Sequence, residues 1–320
     1  MLDDYTLDND DLTQINCRKT FKVSVVNNIP TLESIVKKSN LLGFKVTRLR
    51  KHVYAITNNE EVTVLSPRKI ELDDCYGTSS TEYEGRIKIF NSTEFTDIYL
   101  NNTIVGQQAS YSSMFEGDNY TCGLCKTIDL SGIETSNQGD MTDMFANQYN
   151  LEYLDLGSID TSEVVTAHRV FLLCQSLKKI HGIENIDTSK MTYTIDMFSH
   201  CTKLEELNIK NLDFDSLQHA DRMFKDMNNI KSIEMHGLTG TNLRGVSLMF
   251  DHCASLEYIA LPNFKLNKQF HIDTRNMFNG CYALREIDFT NLNLTESEIR
   301  RQFNLPGGVK IRHHDKIIVT

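Results

Sequence analysis

The chain has 320 residues, of which 40% are hydrophobic and 24% charged, with a net charge of -10. That is the make-up of a folded protein, not of a disordered one. No run of 18 or more apolar residues occurs, which excludes a membrane-spanning helix. The length suits one extended repeat array with a small additional domain.

Charge is unevenly distributed. Residues 1–16 hold five Asp and no basic residue, an acidic tail with neither the positive n-region nor the apolar h-region of a secretion signal. The expected location is therefore cytoplasmic, with no membrane partner. Residues 17–70 hold eleven Lys/Arg against Glu33, Glu60 and Glu61, a balance of +8, which leaves -13 for residues 71–320. A small basic α+β domain is expected over 17–70. Thr31 is placed to cap a helix that runs to about Leu42 and ends at Gly43. FKVTRLR, HVYAITN and EVTVLS come next as alternating strands, the last two joined by a turn at Asn58, Asn59 and Glu60. Lys37, Lys38, Lys45, Arg48, Arg50 and Lys51 are the candidate nucleic-acid contacts, because clustered cations attract a phosphate backbone. The plainer role for this domain is a cap docked on the first repeat unit. Residues 71–94 read as linker and N-terminal cap, with Ile87 and Ile89 in a capping strand.

From 95 to 294 one unit recurs. Its opening hexads are FTDIYL at 95, CKTIDL at 125, LEYLDL at 151, LKKIHG at 177, LEELNI at 204, IKSIEM at 230, LEYIAL at 256 and LREIDF at 284. The steps between them are 30, 26, 26, 27, 26, 26 and 28 residues. A Met-Phe pair (Val170-Phe171 in one unit) moves in step with the hexads and should close the same core from the opposite side. One such unit cannot bury its apolar face alone, so units must stack. Eight units at strand spacing give a sheet roughly 35–40 Å long. Three residues beyond the Phe, in six of the seven units, stand Cys174, Cys201, Cys253 and Cys281, with Gln148 and Met227 in equivalent slots. A column of this kind suits small buried hydrophobes, not disulfides or a metal site. Cys122 and Cys125 form a lone CxxC, but Cys125 fills the first apolar column of its hexad and is expected in the core. Residues 295–320 read as a C-terminal cap: TESE at 295–298 is a capping box opening a short helix, and VKIRHHDKIIV can fold as a hairpin.

These phrases resemble the BspA-like leucine-rich repeats. The middle segments IDTSEVVTAHRVF (159–171) and IDTSKMTYTIDMF (186–198) carry the resemblance, which covers about 95–295. It implies an α/β leucine-rich-repeat solenoid of about eight coils with a parallel sheet on its concave face, and a role in adhesion or partner binding. LLGFKVTRLRKHVYAI with EVTVLSP is similar to HicA-type domains, whose catalytic His falls nearest to His52. The Gly-Ser-His phrase around it is absent, so contact with RNA, not cleavage, is what this similarity implies.

In such a fold, positions two, three and five of each hexad project from the sheet. Across the eight hexads they comprise ten acids and five bases. Tyr99, Asp129, Glu152, Tyr153, Asp155, Lys179, Glu205, Glu206, Glu234, Glu257 and Tyr258 are the candidate partner-binding residues, since tyrosine is enriched at interfaces. No phosphate-binding glycine loop, HExxH or nucleophile elbow is present. Glu205 and Glu206 should point apart on a strand, so they cannot act as paired carboxylates. His181, His219, His236 and His271 look scattered. The expectation is a non-enzymatic protein without cofactor or metal. Its acidic face would engage a protein with a basic surface, for example as a phage or mobile-element inhibitor of a nucleic-acid-binding defence complex. A cell-surface adhesin and an RNA-binding protein are the alternatives.

Overall fold

A computed structural model describes residues 6–7, 20–58, 60–72, 97–100, 103–105, 111–117, 125–135, 139–157, 159–267 and 272–320. Ile87, Ile89, Cys122 and His271 lie outside the described residues.

The N-terminal segment begins with β1 (Thr6–Leu7) and β2 (Thr20–Val25), then helix α1 (Ile29–Leu41) and the meander β3 (Lys45–Arg50), β4 (Val53–Thr57) and β5 (Glu61–Ser66). The helix and meander are as expected, but the cap is one turn earlier. Asn28, not Thr31, is the N-cap: its side chain accepts from the Thr31 N–H at 3.0 Å. Pro30 sits in the first turn, where a missing N–H costs nothing. β2 was not anticipated, although the alternation of Phe21, Val23 and Val25 carries the signal. It pairs in parallel with β5 on one side and with β7 (Asp97–Tyr99) on the other. The basic segment and the first repeat thus share one sheet. β6 (Ile70–Leu72) joins β1 and β8 (Thr103–Val105) in a small parallel sheet.

Each of the next strands is the centre of a hexad: β9 (Thr127–Asp129), β10 (Tyr153–Asp155), β11 (Lys179–His181), β12 (Ser232–Glu234), β13 (Tyr258–Ala260) and β14 (Glu286–Asp288). Successive strands are parallel and in register, one unit apart. Side chains alternate across a strand. Hence the fourth hexad residue (Ile98, Ile128, Leu154, Ile180, Ile233, Ile259, Ile287) is buried, and the third and fifth lie on the opposite face.

The strands do not form one sheet. The first eight-stranded sheet runs β11-β10-β9-β7-β2-β5-β4-β3, and a five-stranded sheet starts anew at β12. The hexad at 204–209 has the repeat's spelling but is not a strand. Its predecessor explains this. In regular units the sixth hexad N–H reaches the next unit, as Leu130 does to Asp155 (2.8 Å) and Leu156 to His181 (2.9 Å). Gly182 holds that slot with φ 79° and instead opens a 3₁₀ turn at Ile183–Asn185, closed by the Asn185 N–H on the Gly182 carbonyl. This unit is the one with a 27-residue step, and the extra residue is taken up in that turn. Downstream, the Ile209 N–H turns onto the Leu207 carbonyl at 3.2 Å, and Leu207 is only partly buried. The expectation of one continuous eight-hexad sheet, with Glu205 and Glu206 on opposite faces of a strand, is corrected accordingly.

The far side of the repeats has no such gap. Phe115, Phe145, Phe171, Phe198, Phe224, Phe250 and Phe278 stack ring on ring at 5.1–5.7 Å with planes within 16°. Offset stacks of this kind add about 1 kcal/mol per pair beyond burial. Around each ring, alternate N–H groups bond to the next unit: Asp143, Phe145 and Asn147 donate to His168, Val170 and Leu172 at 2.8–2.9 Å. Left-handed residues four apart, such as Asp143 and Asn147 or Asp196 and His200, bend the chain to make this possible. A second set of parallel bridges links Asp140, Thr166, Tyr193, His219, Gly245 and Asp273 across six units.

The far end closes with α2 (Glu296–Gln302) and the hairpin β15 (Lys310–His313) and β16 (Lys316–Val319), with β15 parallel to β14. The capping box is present: Thr295 and Glu298 each accept from the other's backbone N–H. Phe303, just past α2, meets Phe278 edge-on at 5.9 Å and ends the stack.

Candidate binding face

The hexad's third and fifth residues form rows across the strands. In the first sheet one row reads Thr20, Asp97, Thr127, Tyr153, Lys179 and the other Lys22, Tyr99, Asp129, Asp155, His181. In the second sheet the rows are Ser232, Tyr258, Glu286, Lys310 and Glu234, Ala260, Asp288, Arg312. Tyr99, Asp129, Tyr153, Asp155 and Lys179 thus share one face of adjacent strands, with Glu152 exposed beside them. Glu234, Glu257 and Tyr258 form a second group. Ala260, counted with the projecting residues, is buried instead at 1% exposure, its methyl being too short to reach past its neighbours. Glu205 and Glu206 are exposed in the interruption between the two groups.

The three tyrosines sit among carboxylates. Burial, then Asp97 and Asp129, raise the Tyr99 phenol above its ordinary range; Lys22 opposes them. Burial, Asp155 and Asp129 do the same for Tyr153, whose hydroxyl lies 3.3 Å from Asp155. Burial, together with Asp288, Glu234 and Glu286, raises Tyr258. The Tyr153 ring also lies 5.1 Å from that of His181.

The two groups differ in how their charge is spent. In the second, cations already answer the acids: Lys210 on Glu234 (2.8 Å, with the His236 ring at 3.4 Å), Arg285 on Glu257 (3.5 Å), Arg312 on Glu286 (3.1 Å). In the first, Asp129 and Asp155 use one oxygen to hold the turn after their strand, accepting from the Ser131 and Gly157 N–H groups at 2.9 and 2.8 Å. They are partly structural, which strand alternation alone does not reveal. Their second oxygens and the exposed Glu152 make a local acidic cluster beside Tyr153, with Lys22 and Lys179 at its margins.

The basic candidates lie elsewhere. Lys37 and Lys38 are exposed on α1, Lys45 and Arg48 on β3, and Lys51 in the turn after it. Arg50 lies on β3, though its side chain is not among those described. His52 stands in the β3–β4 turn with φ 58°, not on a strand, and its Nδ1 lies 3.8 Å from Glu33.

Other motif residues are structural. In the Asp-Thr-Ser phrases, Asp160 and Asp187 accept from the N–H two residues on (3.0 and 2.9 Å), and serine hydrogen bonds lower both their pKa values. Buried Thr161 and Thr188 donate to the Asp187 and Asp213 carbonyls of the next unit. Among the described residues, Cys125, Cys174, Cys201, Cys253 and Cys281 are buried thiols. Each thiol in the column donates to the Phe carbonyl one unit back: Cys174 to Phe145, Cys201 to Phe171, Cys253 to Phe224 and Cys281 to Phe250, at 2.9–3.2 Å. Gln148 makes the same contact to Phe115 through its amide, which accounts for a polar residue in that slot. The histidines are less scattered than their spacing suggests, since His168, Tyr193 and His219 form a run of ring contacts at 5.5–5.6 Å over three units. Unanticipated too is Asp251, 2% exposed and held by Lys225 (2.6 Å), Asn279 (2.7 Å) and His252 (2.9 Å). Burial raises its pKa, but those three hydrogen bonds outweigh it and the net shift is downward.

Among the described residues, no three His, Cys, Asp or Glu side chains are arranged to hold a metal ion, and no helix is long and apolar enough to cross a membrane. Residues 109–236 and 177–291 match the family described as "Mycoplasma protein of unknown function, DUF285". No curated protein matches the chain.

Proposed function

With more than half of its length inside those matches, the chain belongs to the DUF285 family, and on that premise we propose that it is a non-enzymatic binding protein. It works as a leucine-rich-repeat-type solenoid of the BspA-like kind and engages a protein partner through the strand face of its first sheet. The solenoid reading is supported by in-register parallel strands one unit apart and by the unbroken phenylalanine stack. The single observation that carries the binding reading is the cluster of Tyr99, Tyr153, Asp129, Asp155 and Glu152 over three adjacent strands. Two phenols set among carboxylates offer an apolar body and a negative rim, which suits a partner surface presenting Lys or Arg beside apolar groups. The cations on Glu234, Glu257 and Glu286 make the second sheet the weaker candidate.

The test is capture of partners from the native host by the full chain and by a Tyr153→Ser/Glu152→Lys variant. The proposal expects a partner retained by the parent and lost by the variant, with elution of that partner by salt. A partner held equally by both would place binding elsewhere on the molecule.

A further inference from the structure

The end of α1 presents apolar residues that the fold leaves uncovered. Leu41 is 79% exposed, Leu42 66% and Phe44 38%. They are not on a loose loop. The Gly43 N–H bonds to the Asn40 carbonyl and the Phe44 N–H to the Ser39 carbonyl, both at 3.1 Å, with Gly43 left-handed at φ 83°. That is a complete Schellman cap. In such caps the residue after the glycine usually packs against the residue now filled by Ser39. Ser39 offers Phe44 no apolar partner at that place, so a hydrogen-bonded turn holds Leu41 and Leu42 outward with the Phe44 ring partly exposed beside them.

Cations surround them. Lys37 and Lys38 lie one helical turn before Leu41 and Leu42 and so share their side of the helix. Lys45 comes directly after Phe44, and all three lysines are exposed. Glu33 is the nearest acid on the same helix, and it faces His52. β3 is the last strand in the order of its sheet, so this turn lies at the sheet edge farthest from the repeats. In a chain of net charge -10, this is a local positive and apolar projection.

We propose that residues 37–45 form a docking element for an anionic lipid bilayer, with Leu41, Leu42 and Phe44 entering the interface and Lys37, Lys38 and Lys45 meeting the headgroup phosphates. Interfacial binding combines buried apolar area with attraction to anionic lipid and needs no spanning helix. A nucleic acid would use the same lysines but gains little from exposed leucines, because bases stack on aromatic and guanidinium planes. The leucines decide for lipid.

The experiment is flotation of the full chain with vesicles of phosphatidylserine and phosphatidylcholine, and with phosphatidylcholine alone, at low salt. The parent should float with the first and not the second. Lys37→Glu should weaken binding about fivefold or more, and Leu41→Asp/Leu42→Asp should abolish it. Both leucines are exposed, so that variant should keep the parent's thermal unfolding. The chain has no tryptophan, so Leu42→Trp supplies a single indole, excited selectively above the tyrosine band, whose emission should shift to the blue on anionic vesicles. No flotation on anionic vesicles, or flotation unchanged in the leucine variant, would overturn the proposal. So would a gel shift with RNA that the leucine variant retains in the absence of vesicle binding.

Discussion

At the fifth repeat the two sides of the molecule part company. On the strand side, pairing stops at β11 and resumes at β12, and residues 204–209 cross the gap without a ladder. On the turn side, Phe198 still stacks on Phe224 at 5.7 Å, and Tyr193 still bridges His219. The Phe198 N–H still reaches the Met223 carbonyl at 2.8 Å. Continuity is carried by the turns. Strand pairing can lapse for one unit because the phenylalanine stack, the turn-side backbone hydrogen bonds and the Thr188 hydroxyl already fix the spacing of the units there. The strand face is thereby freed to vary: Tyr153 and Glu152 hold no turn there, whereas Asp129 and Asp155 each spend one oxygen on the turn that follows.

That contrast predicts a gradient of effects. Phe224→Ala removes a fully buried ring from the middle of the stack and should cost about 4 kcal/mol in urea unfolding. Leu207→Ala, in the interrupted hexad, should cost well under half of that. If the two losses were equal, the turn side would hold no special place. Asp251→Ala should be next, at roughly 2–3 kcal/mol, because it leaves Lys225 and Asn279 without their buried partner.

The cysteine column gives a pH signature. Burial pushes the Cys201 and Cys281 thiols up to about 12 from an ordinary 9.0. Unfolded thiols therefore lose protons at a pH where folded ones keep them. Stability from this source is intact below pH 9.0 and falls as pH climbs toward 12. Replacing both residues with alanine should make that part of the profile shallower, as read from unfolding midpoints across the range, while Cys174 and Cys253, raised by the same burial, keep the remainder. The smallest effect belongs to the strand face, where Tyr153→Ser/Glu152→Lys should change stability by less than about 0.5 kcal/mol. A larger loss would mean that this face is structural after all.

Much of the fold is legible in the sequence because a stacked core repeats its demands. Leu, Met-Phe and Cys recur wherever a unit must bury the same volume, and TESE at 295–298 spells out its own hydrogen bonds. The interruption is written in one number, the 27-residue step, but its consequence depends on Gly182 taking a left-handed conformation, which no apolar pattern encodes. The face is less legible. The hexads place Tyr99, Tyr153 and Tyr258 outward by simple alternation. They do not say that Asp129 and Asp155 also secure the next turn, or that Arg285 and Arg312 neutralise the second sheet. Those facts depend on contacts two residues ahead or one unit away. The helix cap is ambiguous for a similar reason: Asn28 and Thr31 both suit the role, and only the position of Pro30 in the first turn separates them.

Native-state hydrogen exchange tests the division between the two sides most directly. The amides of Phe198, Phe224 and Phe250 should exchange only on global unfolding, while those of Glu206, Leu207 and Asn208 should exchange orders of magnitude faster. Equal protection at 206–208 would show a continuous strand ladder and contradict the account.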